Sequence, residues 1–253
     1  MTHIAWVPER WEEAARTTLA GLAERHPSRG IILLPRPNDP ADRLDGDVDL
    51  RCFARESREV CSEVITIRLC GRRTAAPASI VQPLLVSDLP VFLRWRGECP
   101  WGSHELEELV DVADRLVVDS SEWPDAESAY ERLADVFDRV VVSDIGWGRT
   151  EPWRFAVAML WPEVSRAGRM RVAGPRVEAL LLSRWLSTRL HRPVELEHEP
   201  AGEIELVEVD GRPASPGRYE RRSPSDLLSE QLEIFSRDRV YEETVRSFSP
   251  VTT

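Results

Sequence analysis

Apolar and polar positions along this chain change period several times, and each change predicts an element. From Pro8 to His26, Trp11, Ala15, Leu19, Leu22 and His26 recur every three to four residues. That spacing predicts an amphipathic helix, started near Pro8 and stopped by Pro27. Ile31 to Leu34 is a continuous apolar run, expected as a buried strand, and residues 35–47 (PRPNDPADRLDGD) read as a loop. Val48, Leu50 and Cys52 alternate with Asp49 and Arg51, and Ile65, Ile67 and Leu69 alternate with Thr66 and Arg68. Both runs predict half-exposed strands, suited to pairing with each other. Residues 75–85 suit a short helix limited by Pro77 and Pro83, and Val91 to Trp95 a strand opened by Pro90. Ser103 is an N-cap residue, with Leu106, Leu109, Val110 and Ala113 forming one helical face behind it. Leu116 to Val118 then reads as a strand, residues 125–137 as a helix capped by Asp125, and Val140 to Val142 as a further strand.

From residue 91 onward the rhythm is strand, helix, strand, helix, strand, which predicts parallel βαβ units. The fold class expected is therefore α/β, with a mixed, partly parallel sheet flanked by helices. The pattern changes near residue 149. Thr150-Glu151-Pro152 starts a helix whose apolar face is Trp153, Ala156, Val157, Leu160 and Trp161. Pro175 starts a second helix, to about Leu190, that is apolar nearly all round and so expected to be buried. Residues 194–198 and 204–209 alternate with glutamates and predict exposed antiparallel strands; 211–217 reads as a turn, and 224–235 and 239–248 as closing helices. The expected division is an α/β domain over 1–149 and a smaller α+β domain over 150–253.

Composition removes several chemistries. The formal charge of −11 argues against a nucleic-acid partner. All 33 basic residues are arginine, so neither a Schiff-base lysine nor a lysine-dependent phosphate loop is available. The four cysteines, Cys52, Cys61, Cys70 and Cys99, include no C-x-x-C pair, and no metal or other cofactor is expected. No signal peptide or membrane span is visible, so the expectation is a cytoplasmic protein with reduced thiols, Cys61 among them as a buried structural thiol.

Three constellations stand out. Asp119-Ser120-Ser121-Glu122 follows a strand end, where α/β sheets bind ligands, but no histidine is placed as a base; a turn is the expected role. The seven carboxylates between Glu195 and Asp210 alternate with apolar residues, as on a solvated strand face. Arg96 and Trp101 follow one strand end, and Trp147 and Arg149 another. Trp and Arg dominate binding hot spots, so these four residues are the candidate partner-binding rim. An arginine cluster at Arg218, Arg221 and Arg222 is the next candidate surface.

Several dispersed segments carry a resemblance. They are Cys61-Ser62-Glu63, the run DLPVFL (88–93), Trp95-Arg96-Gly97, ADRLVVDSS (113–121) and DIGWGRTEPWR (144–154), with weaker likeness in 183–190 and 239–245. Together they resemble the glucose-6-phosphate dehydrogenase assembly proteins, the OpcA family. Family members tend to carry Asn-Trp-Thr-Arg where this chain has Gly146-Trp147-Gly148-Arg149. The resemblance implies a non-catalytic protein that binds glucose-6-phosphate dehydrogenase and promotes its assembly or active state, at the entry to the oxidative pentose phosphate pathway. The alternative is a small α/β enzyme or sugar-phosphate sensor using the loops after residues 95, 119 and 143.

Overall fold

A computed structural model describes residues 1–25, 28–55, 58–217, 222–233 and 236–249. The helix stop at His26 and Pro27 and the arginines Arg218 and Arg221 lie outside the described residues. In chain order the elements are β1 (Thr2–Trp6), α1 (Glu12–Arg25), β2 (Arg29–Arg36), β3 (Leu44–Arg55), β4 (Arg58–Cys70), α2 (Pro77–Val81), β5 (Val91–Trp95), α3 (His104–Asp111), β6 (Arg115–Val118), α4 (Ala126–Leu133), β7 (Val141–Asp144), α5 (Ile145–Arg149), α6 (Glu151–Ala158), β8 (Arg169–Gly174), α7 (Arg176–Leu190), β9 (Glu195–Pro200), β10 (Leu206–Val209), β11 (Arg212–Ala214), α8 (Pro224–Glu233) and α9 (Arg239–Arg246). The fold is α/β. The chain forms two compact units, and neither is continuous in sequence. One comprises Met1–Asp119, Asp138–Ser143 and Arg222–Arg237; the other comprises Ser120–Phe137, Asp144–Arg221 and Asp238–Thr253.

The first unit is built on a seven-stranded sheet of order β3-β4-β2-β1-β5-β6-β7. β1 pairs in parallel with β2 on one side and β5 on the other; β4 is parallel to β2, and β3 antiparallel to β4. The central strand β1 has no counterpart in the sequence reading. THIAW is too short and too near the terminus for its alternation to stand out, yet all five residues are buried. The strands β2, β5 and β6 fall where apolar runs place them, and Ser103 caps α3 by accepting from the Leu106 N–H. Helix α8 belongs to this unit: it packs on α1, where the Ser225 hydroxyl donates to the Thr18 carbonyl at 3.1 Å.

Two cysteine expectations are corrected here. Cys52 and Cys61 face each other in the β3–β4 register and are joined in a disulfide, and both are exposed. Alternation puts every second side chain on one face of the hairpin, so two cysteines at opposed positions meet. Cys70 and Cys99 are free and buried.

The second unit carries a four-stranded sheet of order β11-β10-β8-β9. The two glutamate-rich strands run antiparallel, as expected, but are not adjacent. β8 separates them, parallel to β9 and antiparallel to β10. Only five residues between Gly168 and Gly174 give β8 a weak signature, although Met170 and Val172 are fully buried. Helix α7 follows Pro175 as expected and buries nine residues, from Val177 to Leu186.

Candidate functional site

In the first unit the topology marks one place. The chain leaves β1 to one side, into β2, and returns on the other side as β5, so the carboxyl ends of β1 and β5 flank a topological switch point. Trp6 and Trp95 are in register there, their rings stacked 4.9 Å apart. The Arg96 N–H donates to the Trp6 carbonyl at 3.0 Å. After β1 the chain turns at Pro8 into a short 3-10 segment, Glu9–Trp11. The Arg96 guanidinium lies 4.6 Å from the centroid of the Trp11 ring, and that of Arg10 5.9 Å from the same ring. Gly97 follows at φ +80°, a conformation that favours glycine. Trp101 is half-buried, and the indole N–H groups of Trp11 and Trp101 are buried without an acceptor among the described residues. A separate cleft of about 300 Å³ at the end of β2 is lined by Glu9, Pro35, Arg36, Pro37, Asn38 and Asp39. Its arginine is already matched by Glu9 and Glu12.

In the second unit the segment that looked like a contact loop is an interior. Asp144 is fully buried and caps α5. Its carboxylate accepts from the N–H groups of Ser120 (3.0 Å) and Gly146 (2.8 Å) and from the hydroxyls of Tyr130 (2.9 Å) and Tyr241 (3.3 Å). Burial and the facing carboxylate push the Tyr130 phenol well above its ordinary pKa. A Cβ at residue 146 would lie 2.2 Å from the Ser120 hydroxyl, which would have to turn aside to admit one.

Trp147 is 4% exposed, with its indole N–H donated to Asp238 at 2.8 Å and the Arg154 guanidinium 3.5 Å above its ring. The expectation of Trp147 as a surface anchor is therefore corrected: its ring is enclosed by Arg154 and Tyr241. Desolvation pulls Arg154 down to about 10, against the opposing charges of Asp238 and Glu151, and it stays a cation at neutral pH. Arg149 keeps 31% of its side chain exposed, donates to Ser121 at 3.0 Å and pairs at 3.5 Å with the buried Glu178. Thus Arg96 and Trp101 belong to one unit, and Trp147 and Arg149 to the other.

Of the serines, Ser120 is fully buried and Ser121 accepts from Arg149, as turn residues would. The acidic strands are ion-paired: Arg171 bridges Glu199 and Glu208, and Arg169 meets Glu197. One surface escaped the sequence reading. Trp161, assigned to the apolar face of its helix, is 65% exposed, as are Phe155 (66%) and Met159 (67%). Phe155 and Met159 lie four residues apart on one side of the α6 region, opposite the buried Trp153, Ala156 and Val157.

Two family models match the chain in tandem. Residues 20–135 match the N-terminal domain of the glucose-6-phosphate dehydrogenase subunit, and residues 140–245 match its C-terminal domain. The chain belongs to the OpcA family of glucose-6-phosphate dehydrogenase assembly proteins. No curated protein matches it. A solved structure from Magnetospirillum magnetotacticum MS-1, described as a "putative oxidoreductase", is similar over 98% of both chains at 12% identity with a TM-score of 0.47, and carries no argument about function.

The segments that carry the OpcA likeness do mainly structural work. Glu63 pairs with Arg29 at 2.6 Å, the Ser62 hydroxyl donates to the Ser28 carbonyl, and the Asp114 carboxylate accepts from the Val91 N–H. Asp144 organises the interior of the second unit. Within the first unit, Trp95-Arg96-Gly97 alone among these segments lies at the switch point. Among the described residues no helix is long and apolar enough to cross a membrane.

Proposed function

We propose that this protein binds glucose-6-phosphate dehydrogenase and promotes its assembly or active state, acting in the cytoplasm without chemistry of its own. The observation that supports this reading is the tandem family match, which runs from residue 20 to residue 245. An activator of this kind works by binding the active conformation or oligomer more tightly than the inactive one. The chain's own contribution is then surface and rigidity. Arg96, Trp101 and Arg149 are the contact residues we propose, with the buried Trp147 as a structural residue of the same helix as Arg149; the exposed Phe155 and Met159 are apolar anchors of the type interfaces bury.

Steady-state kinetics of the dehydrogenase from the same organism, across a titration of this protein, test the proposal together with size-exclusion chromatography of the mixture. A complex is expected, with a rise in turnover, apparent substrate affinity or oligomer fraction that saturates. Unchanged kinetics and separate elution at saturating concentration would refute it. Arg96→Ala and Phe155→Ala are suitable contact variants, and a true anchor should weaken the half-saturating concentration roughly thirtyfold. Trp147→Ala is unsuitable, because emptying a buried indole site costs about 3 kcal/mol or more of stability.

A further inference from the structure

The turn after β5 is flanked closely by hydrogen-bond donors. A Cβ placed on Gly97 would have only two heavy atoms within 4 Å beyond its chain neighbours: Arg10 Nη2 at 3.3 Å and Trp11 Nε1 at 3.5 Å. Both are N–H donors, and they converge on one small space. The Trp11 N–H there is buried with no acceptor. An unsatisfied buried donor costs about 1–3 kcal/mol, a cost that an incoming acceptor relieves. The Arg10 side chain is exposed and forms no ion pair or hydrogen bond with any described residue. The Arg96 guanidinium stands over the same Trp11 ring. The recess lies at the carboxyl ends of β1 and β5, at the switch point where α/β sheets take ligands.

The donors select the ligand. Beyond the chain neighbours Arg96 and Glu98, no acceptor lies within 4 Å of a Cβ on Gly97, so an anion gains most there. The Arg10 fork and the indole N–H, beside the positive charge of Arg96, suit the terminal oxygens of a phosphate monoester. A net charge of −11 disfavours the polyanionic backbone of nucleic acid as the source. The neighbouring carboxylates do not close the site: Glu9 is paired with Arg36, and Glu98 is exposed. We infer that the recess beside Gly97 is a binding site for the phosphate group of a small phosphorylated metabolite, held by Arg10, the Trp11 indole N–H and Arg96. Arg10 closes over the phosphate from solvent.

The test uses the full-length protein alone, so its failure would leave the dehydrogenase proposal standing. Calorimetry and tryptophan fluorescence are run with inorganic phosphate, glucose 6-phosphate and glucose as probes. Glucose 6-phosphate should bind with Kd below about 1 mM, inorganic phosphate more weakly, and glucose not at all. Arg10→Ala should weaken the phosphate ester at least about tenfold with thermal stability little changed, since the exposed Arg10 side chain makes only a distant contact with the Trp11 ring. Trp11→Phe, which keeps a ring and removes the N–H, should weaken it about fivefold. Failure of both phosphates to bind at about 10 mM overturns the inference, as does binding that neither variant alters. Loss of dehydrogenase binding in Arg10→Ala, without phosphate binding in the wild type, would assign the recess to a carboxylate of the partner instead.

Discussion

His3 shows how much one residue can hold that no pattern reveals. It is 1% exposed in the central strand, and neither ring nitrogen has a hydrogen-bond partner among the described residues. Burial, with help from the nearby Arg94 charge, lowers its pKa from 6.5 to about 4. Above pH 6.5 the ring is neutral in folded and unfolded chains alike. Below 6.5 the unfolded chain takes up a proton that the folded chain refuses until pH nears 4. Stability should therefore fall as pH drops through that window, by about 3 kcal/mol in total from this group. His3→Phe should flatten the dependence between pH 6.5 and 4 in denaturant melts; an unchanged slope would show that other groups set it. At this scale the sequence was partly legible. Strand ends located Arg96 and Trp101, because loops after parallel strands are short and their residues stay near the sheet edge. The convergence of Arg10, Trp11 and Gly97 was hidden, since it joins positions 86 and more residues apart through a strand, β1, that the pattern did not reveal. Trp147 was misplaced for a related reason. Proximity to a strand end does not say which side of the residue the rest of the chain covers.

Elements were legible where one face decides their formation. The α3 and α4 helices follow from caps and spacing, with Asp125 accepting from the Ser128 N–H as its position suggested. β8 and the parallel pairing of β9 were not, because strand order depends on partners remote in sequence. The β3–β4 hairpin has a further tie, the Cys52–Cys61 disulfide nine residues apart. Reducing it restores freedom only to a short loop of the unfolded chain, a loss of at most about 3 kcal/mol. β4 remains hydrogen-bonded to β2 along eight residues, Glu63 to Cys70, so the sheet should survive. Thermal melts of Cys52→Ser should show a modest loss of stability and an unaltered far-ultraviolet dichroism spectrum. Collapse of strand content would mean that the hairpin depends on its cross-link.

The boundary expected near residue 149 meets a chain whose compact units are interleaved. A change of sequence rhythm marks where a new pattern of elements begins, but not which unit a later helix rejoins. Helix α8 lies far downstream and is part of the first unit, where Leu227, Leu228 and Leu232 are 6%, 2% and 0% exposed. Each such side chain contributes about 2 kcal/mol on burial, so a chain ending at residue 149 forgoes about 6 kcal/mol from these three alone. That sum is comparable to the whole stability of a typical domain, about 5–15 kcal/mol. It would also leave bare the surface of α1 that carries Thr18 and Gly21, against which Ser225 packs. The fragment 1–149 should therefore lack a cooperative unfolding transition and bind a hydrophobic dye, whereas a chain extended through residue 237 retains every segment of the first unit. Differential scanning calorimetry decides the matter. A sharp two-state melt of 1–149, within a few degrees of the full-length protein, would show that α8 adds nothing essential and that the first unit is complete without its returning segment.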